Sequence, residues 1–419
     1  FGPSALLIGV GNALVGALVA WAILAKRTRR MTQNLDTMTM PEFLEARYQS
    51  EHIKMISAVI IFIFLLPYSA SIFKGLGHLF ESTFHISFDF ALIILVVITG
   101  IYLVLGGYFA VTVTSFIQGI IMLVGAVIMI CVLVYKAGGL TEAITTVNIN
   151  YPEHVPVAQQ PSWLTIASLI FMTSVGSWGL PQMVQKFYAI KNEKVIPKAA
   201  IITTIFALVI GITAYGSGIL SHVFFDNNTV PKMANGGVNY DQIMPNLLAI
   251  KLPEALLAII MLLILSASMS SLASLVLVSA SSIAVDLYKG YLKKDVNEKT
   301  SLIIMRSFSV LFIFATYLIS KLQLGFIVTM QSLSWGVLSG AFLAPYVFAI
   351  YSKKVTKAAA YAGIYSGAGT AIILTMALGA ANSALAASIA IIVPFIVVPI
   401  VSAFTPKVDA NVIEKAFKK

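Results

Sequence analysis

Within the apolar stretch 253–289 lies a seam of small hydroxyl residues, Ser266-Ala267-Ser268-Met269-Ser270-Ser271-Leu272-Ala273-Ser274. Ala267, Ser270 and Ser271 stand at i, i+3 and i+4, so they share one face of a helix. Hydroxyl and backbone carbonyl oxygens converging on such a face form half of a site for a hard cation built from neutral oxygens. The same spacing also serves close packing, because small residues four apart (Ala267 and Ser271, Ser270 and Ser274) let two helices approach. On this segment alone both readings stand.

The elements that would position this seam are membrane helices. Of the 419 residues 59% are hydrophobic and 11% charged, and the mean hydropathy is +0.93. Continuous apolar runs, rather than alternating ones, define an all-α polytopic membrane protein and exclude a β-barrel. We read about eleven transmembrane spans, at 3–25, 53–73, 88–109, 115–135, 163–186, 197–224, 253–287, 300–319, 324–351, 358–378 and 383–404. Residues 1–419 form a single transmembrane domain in this reading, with no soluble domain and no low-complexity tract. The single cysteine, Cys131, falls inside an apolar run, so no intrachain disulfide forms.

Alternate connections differ sharply in charge. Of the 27 Lys and Arg residues, only Lys74, Lys136, Lys232, Lys251 and Lys321 fall on one side of the predicted spans. The positive-inside rule makes the other side cytoplasmic. The amino end of the chain is then outside, the carboxyl end inside, and the protein a multi-pass component of the cell membrane. The net charge of +10 is on this reading a topology signal, not a nucleic-acid footprint. In the inside connection 26–52, Thr39-Met40-Pro41-Glu42 reads as the start of a short interfacial helix. Outside, 136–162 and 225–252 read as loops.

The middle of the membrane carries no acid and no imidazole in this reading. Asp89, Glu254 and Asp286 come closest, at span ends, and the five His are peripheral. A proton relay, a redox centre and an ATP-driven pump therefore lack residues, and the chain is read as no enzyme. A cation handled here meets hydroxyls and carbonyls, which suits Na⁺.

Other polar groups do interrupt the spans. Thr173-Ser174-Val175-Gly176-Ser177-Trp178-Gly179-Leu180-Pro181-Gln182 holds two glycines and a proline. It reads either as a broken helix at a solute site or as a proline kink near a span end. Pro67-Tyr68-Ser69-Ala70-Ser71 reads as a kinked polar patch, and Gln331-Ser332 with Ser334-Trp335 marks the ninth span. Asn12 needs a partner on a neighbouring helix. Patches on several helices together point to a solute cavity.

The chain resembles the sodium:solute symporter family along nearly its whole length, most of all the bacterial sodium/proline symporters. The resemblance rests on Leu79-Phe80-Glu81-Ser82-Thr83-Phe84, Gly106-Gly107-Tyr108-Phe109-Ala110-Val111, Thr39-Met40-Pro41-Glu42-Phe43-Leu44, Leu180-Pro181-Gln182, Ala284-Val285-Asp286-Leu287-Tyr288-Lys289 and Gly340-Ala341-Phe342-Leu343-Ala344-Pro345. It implies a LeuT-type fold of inverted helix repeats, alternating access, and Na⁺ as the coupling ion for import of a small organic solute such as an amino acid, carboxylate or sugar, without an organic cofactor. It also implies two further helices before Phe1. By the same resemblance Ala267, Ser270 and Ser271 take the sodium positions, and Ser274 and Ser115 lie near a second, less general one. Ser115 stands where the family usually has Asp, and Ala273 where some members have Ser, so one Na⁺ is expected. Tyr68 matches a substrate-side tyrosine, and Ser174, Ser177, Trp178 and Gln331 complete the expected solute contacts. A membrane sensor module of the same fold and a sodium-independent permease are the alternatives.

Overall fold

The computed structural model describes residues 1–156, 160–292 and 297–418, with the side chains of 104–112, 289, 291–292 and 298 outside the described set. Of the residues that carry the resemblance, Gly106–Val111 and Lys289 therefore have no described side chains. In chain order the helices are α1 (Gly2–Leu35), α2 (Met40–Tyr48), α3 (Glu51–Phe84), α4 (Phe88–Lys136), α5 (Leu140–His154), the bent pair α6 (Trp163–Gly179) and α7 (Pro181–Tyr188), and α8 (Glu193–Phe224). There follow α9 (Tyr240–Lys251), α10 (Glu254–Tyr288), α11 (Glu298–Lys321), α12 (Ile327–Tyr351), α13 (Lys357–Leu378), α14 (Ala380–Phe404) and α15 (Ala410–Ala416).

Helix starts follow from side chains already legible in the sequence. Ser50, Thr356 and Asn297 each accept a bond from the backbone N–H three residues on, at 3.4, 3.2 and 2.7 Å, which satisfies an otherwise orphaned donor. Thr39 and Glu42 form a complete capping box at α2, so the expected short helix is present.

Among the described residues, nine helices are long and apolar enough to cross a membrane, or ten with the bent pair as one span. A shorter apolar helix, Phe88–Leu103, occupies the expected third span. The third and fourth expected spans are assigned to one helix, α4. Yet the Tyr102 and Thr114 hydroxyls are hydrogen-bonded. In a straight helix twelve residues span about 18 Å, beyond the reach of those side chains. The arms before Tyr102 and after Thr114 are therefore not collinear.

Helix α3 runs from Glu51 to Phe84 with Pro67 inside it, and the Ser334 hydroxyl donates to the Phe64 carbonyl in the turn that Pro67 disturbs. Three expectations change. The connection 136–162 is not all loop, because Leu140–His154 is helical, and neither is 225–252, where Tyr240–Lys251 is helical. Asn12 is exposed and folds back over its own helix; a Cβ on Gly16 would meet its Oδ1 at 2.3 Å.

Helix α12 is the centre of the bundle: 83% of its most apolar window is buried, against 11% for α8 at the periphery. Small residues make this possible. A Cβ on Gly367 of α13 would lie 2.0 Å from the Gly340 carbonyl oxygen of α12, so those two backbones touch.

The arginine-rich end is tied by buried polar side chains. The fully buried Arg47 donates to the Ala349 and Ser352 carbonyls at 3.1 and 2.8 Å, capping the carboxyl end of α12. Tyr48 donates to the Pro345 carbonyl at 2.6 Å. Thr39 donates to the fully buried Asp286 at 2.6 Å, and Arg29 to the Tyr188 carbonyl at 2.6 Å.

Candidate functional site

At the opposite end a cavity of about 450 Å³ opens between four helices. Helix α3 contributes Tyr68, Ser71, Ile72, Gly75, Leu76 and Leu79; α9 contributes Asp241, Met244, Pro245 and Leu248. Ile264, Ala267, Ser268 and Ser271 come from α10, and Ile327 and Gln331 from α12. The spacing within each set is helical, so each wall is one face of one helix. Aliphatic walls with a few polar atoms are the ordinary make-up of a small-molecule site.

Four of the expected site residues meet here: Tyr68, Ala267, Ser271 and Gln331. Ser271 is exposed and Ala267 half-buried, so the seam presents oxygen to the cavity on this edge. The rest are placed differently. Ser270 does not line the cavity, and its carbonyl accepts the Ser274 hydroxyl at 3.2 Å. Ser274 is thereby turned onto its own helix. Ser115, half-buried on the second arm of α4, is not among the cavity residues either.

The broken helix lies apart from the cavity. Between α6 and α7 the axis turns by 47°, with Leu180 extended at φ −75°, ψ 124°. This is a break rather than a mild kink, and its freed groups find protein partners. Ser339 of α12 donates to the Gly176 carbonyl. Ser177 donates to the Ser174 carbonyl at 2.7 Å, and the Trp178 indole N–H to the Val15 carbonyl of α1 at 3.2 Å. Ser174, Ser177 and Trp178 therefore pack the break against its neighbours and do not line the cavity. A Cβ on Gly179 would come within 2.9 Å of Ser339 Cα, so only glycine permits this approach to α12.

Three contributors lay outside the expected site residues, Trp335 having been noted only as a mark of the ninth span. Trp335 packs edge-on against Tyr68 with ring centroids 5.7 Å apart, and its buried indole N–H has no hydrogen-bond partner among the described residues. Lys74 and Asp241 form a buried ion pair of 2.7 Å at the cavity rim, each side chain 7% exposed. Lys74 lay just past the expected end of the second span and Asp241 in an expected loop. The signal for α9 was present in Ile243-Met244 and Leu247-Leu248, apolar pairs four apart, on a segment too short to span a bilayer. Helix α3 itself is about 51 Å long at 1.5 Å per residue, against a hydrocarbon core of about 30 Å. Lys74, His78 and Glu81 thus ride on the part of α3 towards its carboxyl end.

A bundle of apolar helices that includes a broken one and encloses a small-molecule-sized cavity elsewhere defines a polytopic membrane transporter. The chain belongs to the sodium:solute symporter family, whose sequence profile matches residues 3–367. It is a sodium-coupled solute symporter and not an enzyme. It is similar to sodium/proline symporter 2 of Staphylococcus saprophyticus, 29% identical over 383 residues, which cover 89% of this chain and 72% of that protein. A sodium/proline symporter of Staphylococcus aureus is 29% identical over 378 residues, 88% of this chain and 71% of the relative. In structure it resembles a Na⁺-coupled sialic acid symporter solved in a substrate-bound outward-open state. The TM-score is 0.69 at 18% identity, over 98% of this chain and 91% of the other. That likeness shows the fold, which is of the LeuT type.

Proposed function

We propose that this symporter binds its solute in the cavity between α3, α9, α10 and α12 and its coupling Na⁺ on the edge of α10 marked by Ala267 and Ser271. The observation that carries the reading is the convergence of Tyr68, Ala267, Ser271 and Gln331, read from three separate sequence patches, on one cavity of about 450 Å³. Ser270 shares the helix face of Ala267 and Ser271. Tyr68 and Gln331 supply the polar contacts to solute, and the aliphatic faces of α3 and α9 enclose it. Ser174, Ser177 and Trp178 act through the broken helix: Trp178 holds it against α1 while Ser177 and Ser174 pack within the break. The solute is a small organic molecule of amino-acid size. The sodium/proline symporters among its relatives make L-proline the first to try. Ser115 in place of an acid supports one Na⁺ per cycle.

Residues 1–419 act as one transmembrane domain in this reading, with the cavity facing the outside and the arginine-rich end in the cytoplasm. The charge asymmetry supports that orientation. So does the pairing of Lys321 with Asp89 at 3.6 Å, which joins two connections assigned to the outside.

Na⁺ and solute must each bind better in the presence of the other for transport to be coupled. In full-length protein reconstituted in vesicles, Ser271→Ala is expected to raise the Na⁺ concentration for half-maximal uptake roughly tenfold, the equivalent of about 1.4 kcal/mol. Unchanged Na⁺ dependence removes Ser271 from the ion site. Accumulation against a gradient that requires Na⁺ separates the symporter from a passive permease.

A further inference from the structure

Helix α12 begins without a cap of its own: Phe326 occupies the N-cap position and makes no side-chain bond. The cap comes from another helix. Both carboxylate oxygens of Asp241, on α9, accept from the Ile327 N–H, at 3.2 and 3.3 Å. The same carboxylate accepts from Lys74 of α3 at 2.7 Å, and Lys74 also donates to the Gly325 carbonyl at 2.8 Å. One buried carboxylate therefore ties together three of the four cavity walls. Ile327 and Gln331 are one turn apart and both line the cavity, so whatever fixes the start of α12 fixes the direction of Gln331.

We propose that Asp241 is a positioning residue of the solute cavity: neutralised by Lys74, it caps α12 from α9 and so holds Gln331 towards the solute. The inference rests on the cavity being the solute site. The N-terminal end of α12 and the Lys74 ammonium both attract the carboxylate. The two partners are not equivalent. Without Lys74, Asp241 keeps the α12 N–H. Without the Asp241 charge, Lys74 is a buried ammonium left with one carbonyl, the costlier defect. Removing both charges leaves no buried ion unpaired.

That ordering is the test. Cys131 is the only cysteine of the chain, so a full-length Cys131→Ser background with Gln331→Cys reports on the cavity wall through its labelling rate with a membrane-impermeant maleimide. Asp241→Asn is expected to accelerate labelling roughly tenfold and Lys74→Met roughly threefold, with the double variant between them. Ser279→Cys, buried elsewhere on α10, serves as a control thiol whose rate stays unchanged in all three. Equal rates at Gln331→Cys with and without Asp241→Asn overturn the proposal. So does parallel acceleration of the Ser279→Cys control, which would mean general loosening. Labelling needs no transport, so absence of L-proline uptake by the unmodified protein would count against the solute reading while leaving the Asp241 result standing.

Discussion

The two ends of the helix bundle solve the same problem with different redundancy. At both, a charged side chain from one helix satisfies the orphaned backbone groups of another. At the arginine-rich end the ties overlap: Arg47 and Tyr48 both reach carbonyls near the end of α12, while Thr39 of the same short helix holds Asp286 of α10. At the cavity end one ion pair, Lys74–Asp241, caps the start of α12. A helix end held by several independent bonds stays closed when one is lost, and an end held by one pair does not. The cavity sits at the end where α12 has the fewer ties among the described residues.

Substitutions can break this contrast. The largest effect is expected for Arg47→Met, which leaves the Ala349 and Ser352 carbonyls buried without their donor and should cost about 3 kcal/mol of stability. A thermal unfolding midpoint in detergent unchanged from the parent would show that the closed end does not depend on that side chain. Thr39→Val removes both the α2 cap and the hydroxyl donor to Asp286 and should cost about 2 kcal/mol, again read as a lowered midpoint. A loss no larger than a surface change would mean that Asp286 draws its support elsewhere. The smallest effect is expected at the partly exposed group where Arg30 meets Glu193 at 3.0 Å. Glu193→Gln should shift stability by only about 0.5 kcal/mol, an effect weakened further by salt. A larger shift would place part of the closure at the surface.

Much of this architecture was legible in advance. Helix existence followed from apolar runs, and the start of α2 from the Thr39–Glu42 spacing. Tyr68, Ser271 and Gln331 were each visible as polar groups where a lipid-facing helix would not keep them, and Ala267 as a small residue of the same seam as Ser271. Ser174, Ser177 and Trp178 looked equivalent by that criterion, yet Ser177 and Trp178 satisfy backbone carbonyls around a break and Ser174 is buried within it. Polarity in a membrane helix shows that a residue has a partner, without saying whether the partner is solute or backbone. Lys74 and Asp241 stayed hidden because each looked like an ordinary charge at a span end, and only their pairing makes them structural.

By itself the sequence determined the class of protein, the spans, the charge asymmetry and the family, because each is carried by local composition or by motifs contiguous in the chain. Tertiary structure decided which polar faces share one cavity, that α9 is a wall of it, and that the cap of α12 comes from 86 residues earlier. Those facts depend on the relative rotation of helices distant in sequence. That rotation is set by packing at contacts such as Gly340–Gly367 and Gly179–Ser339, which no local pattern encodes.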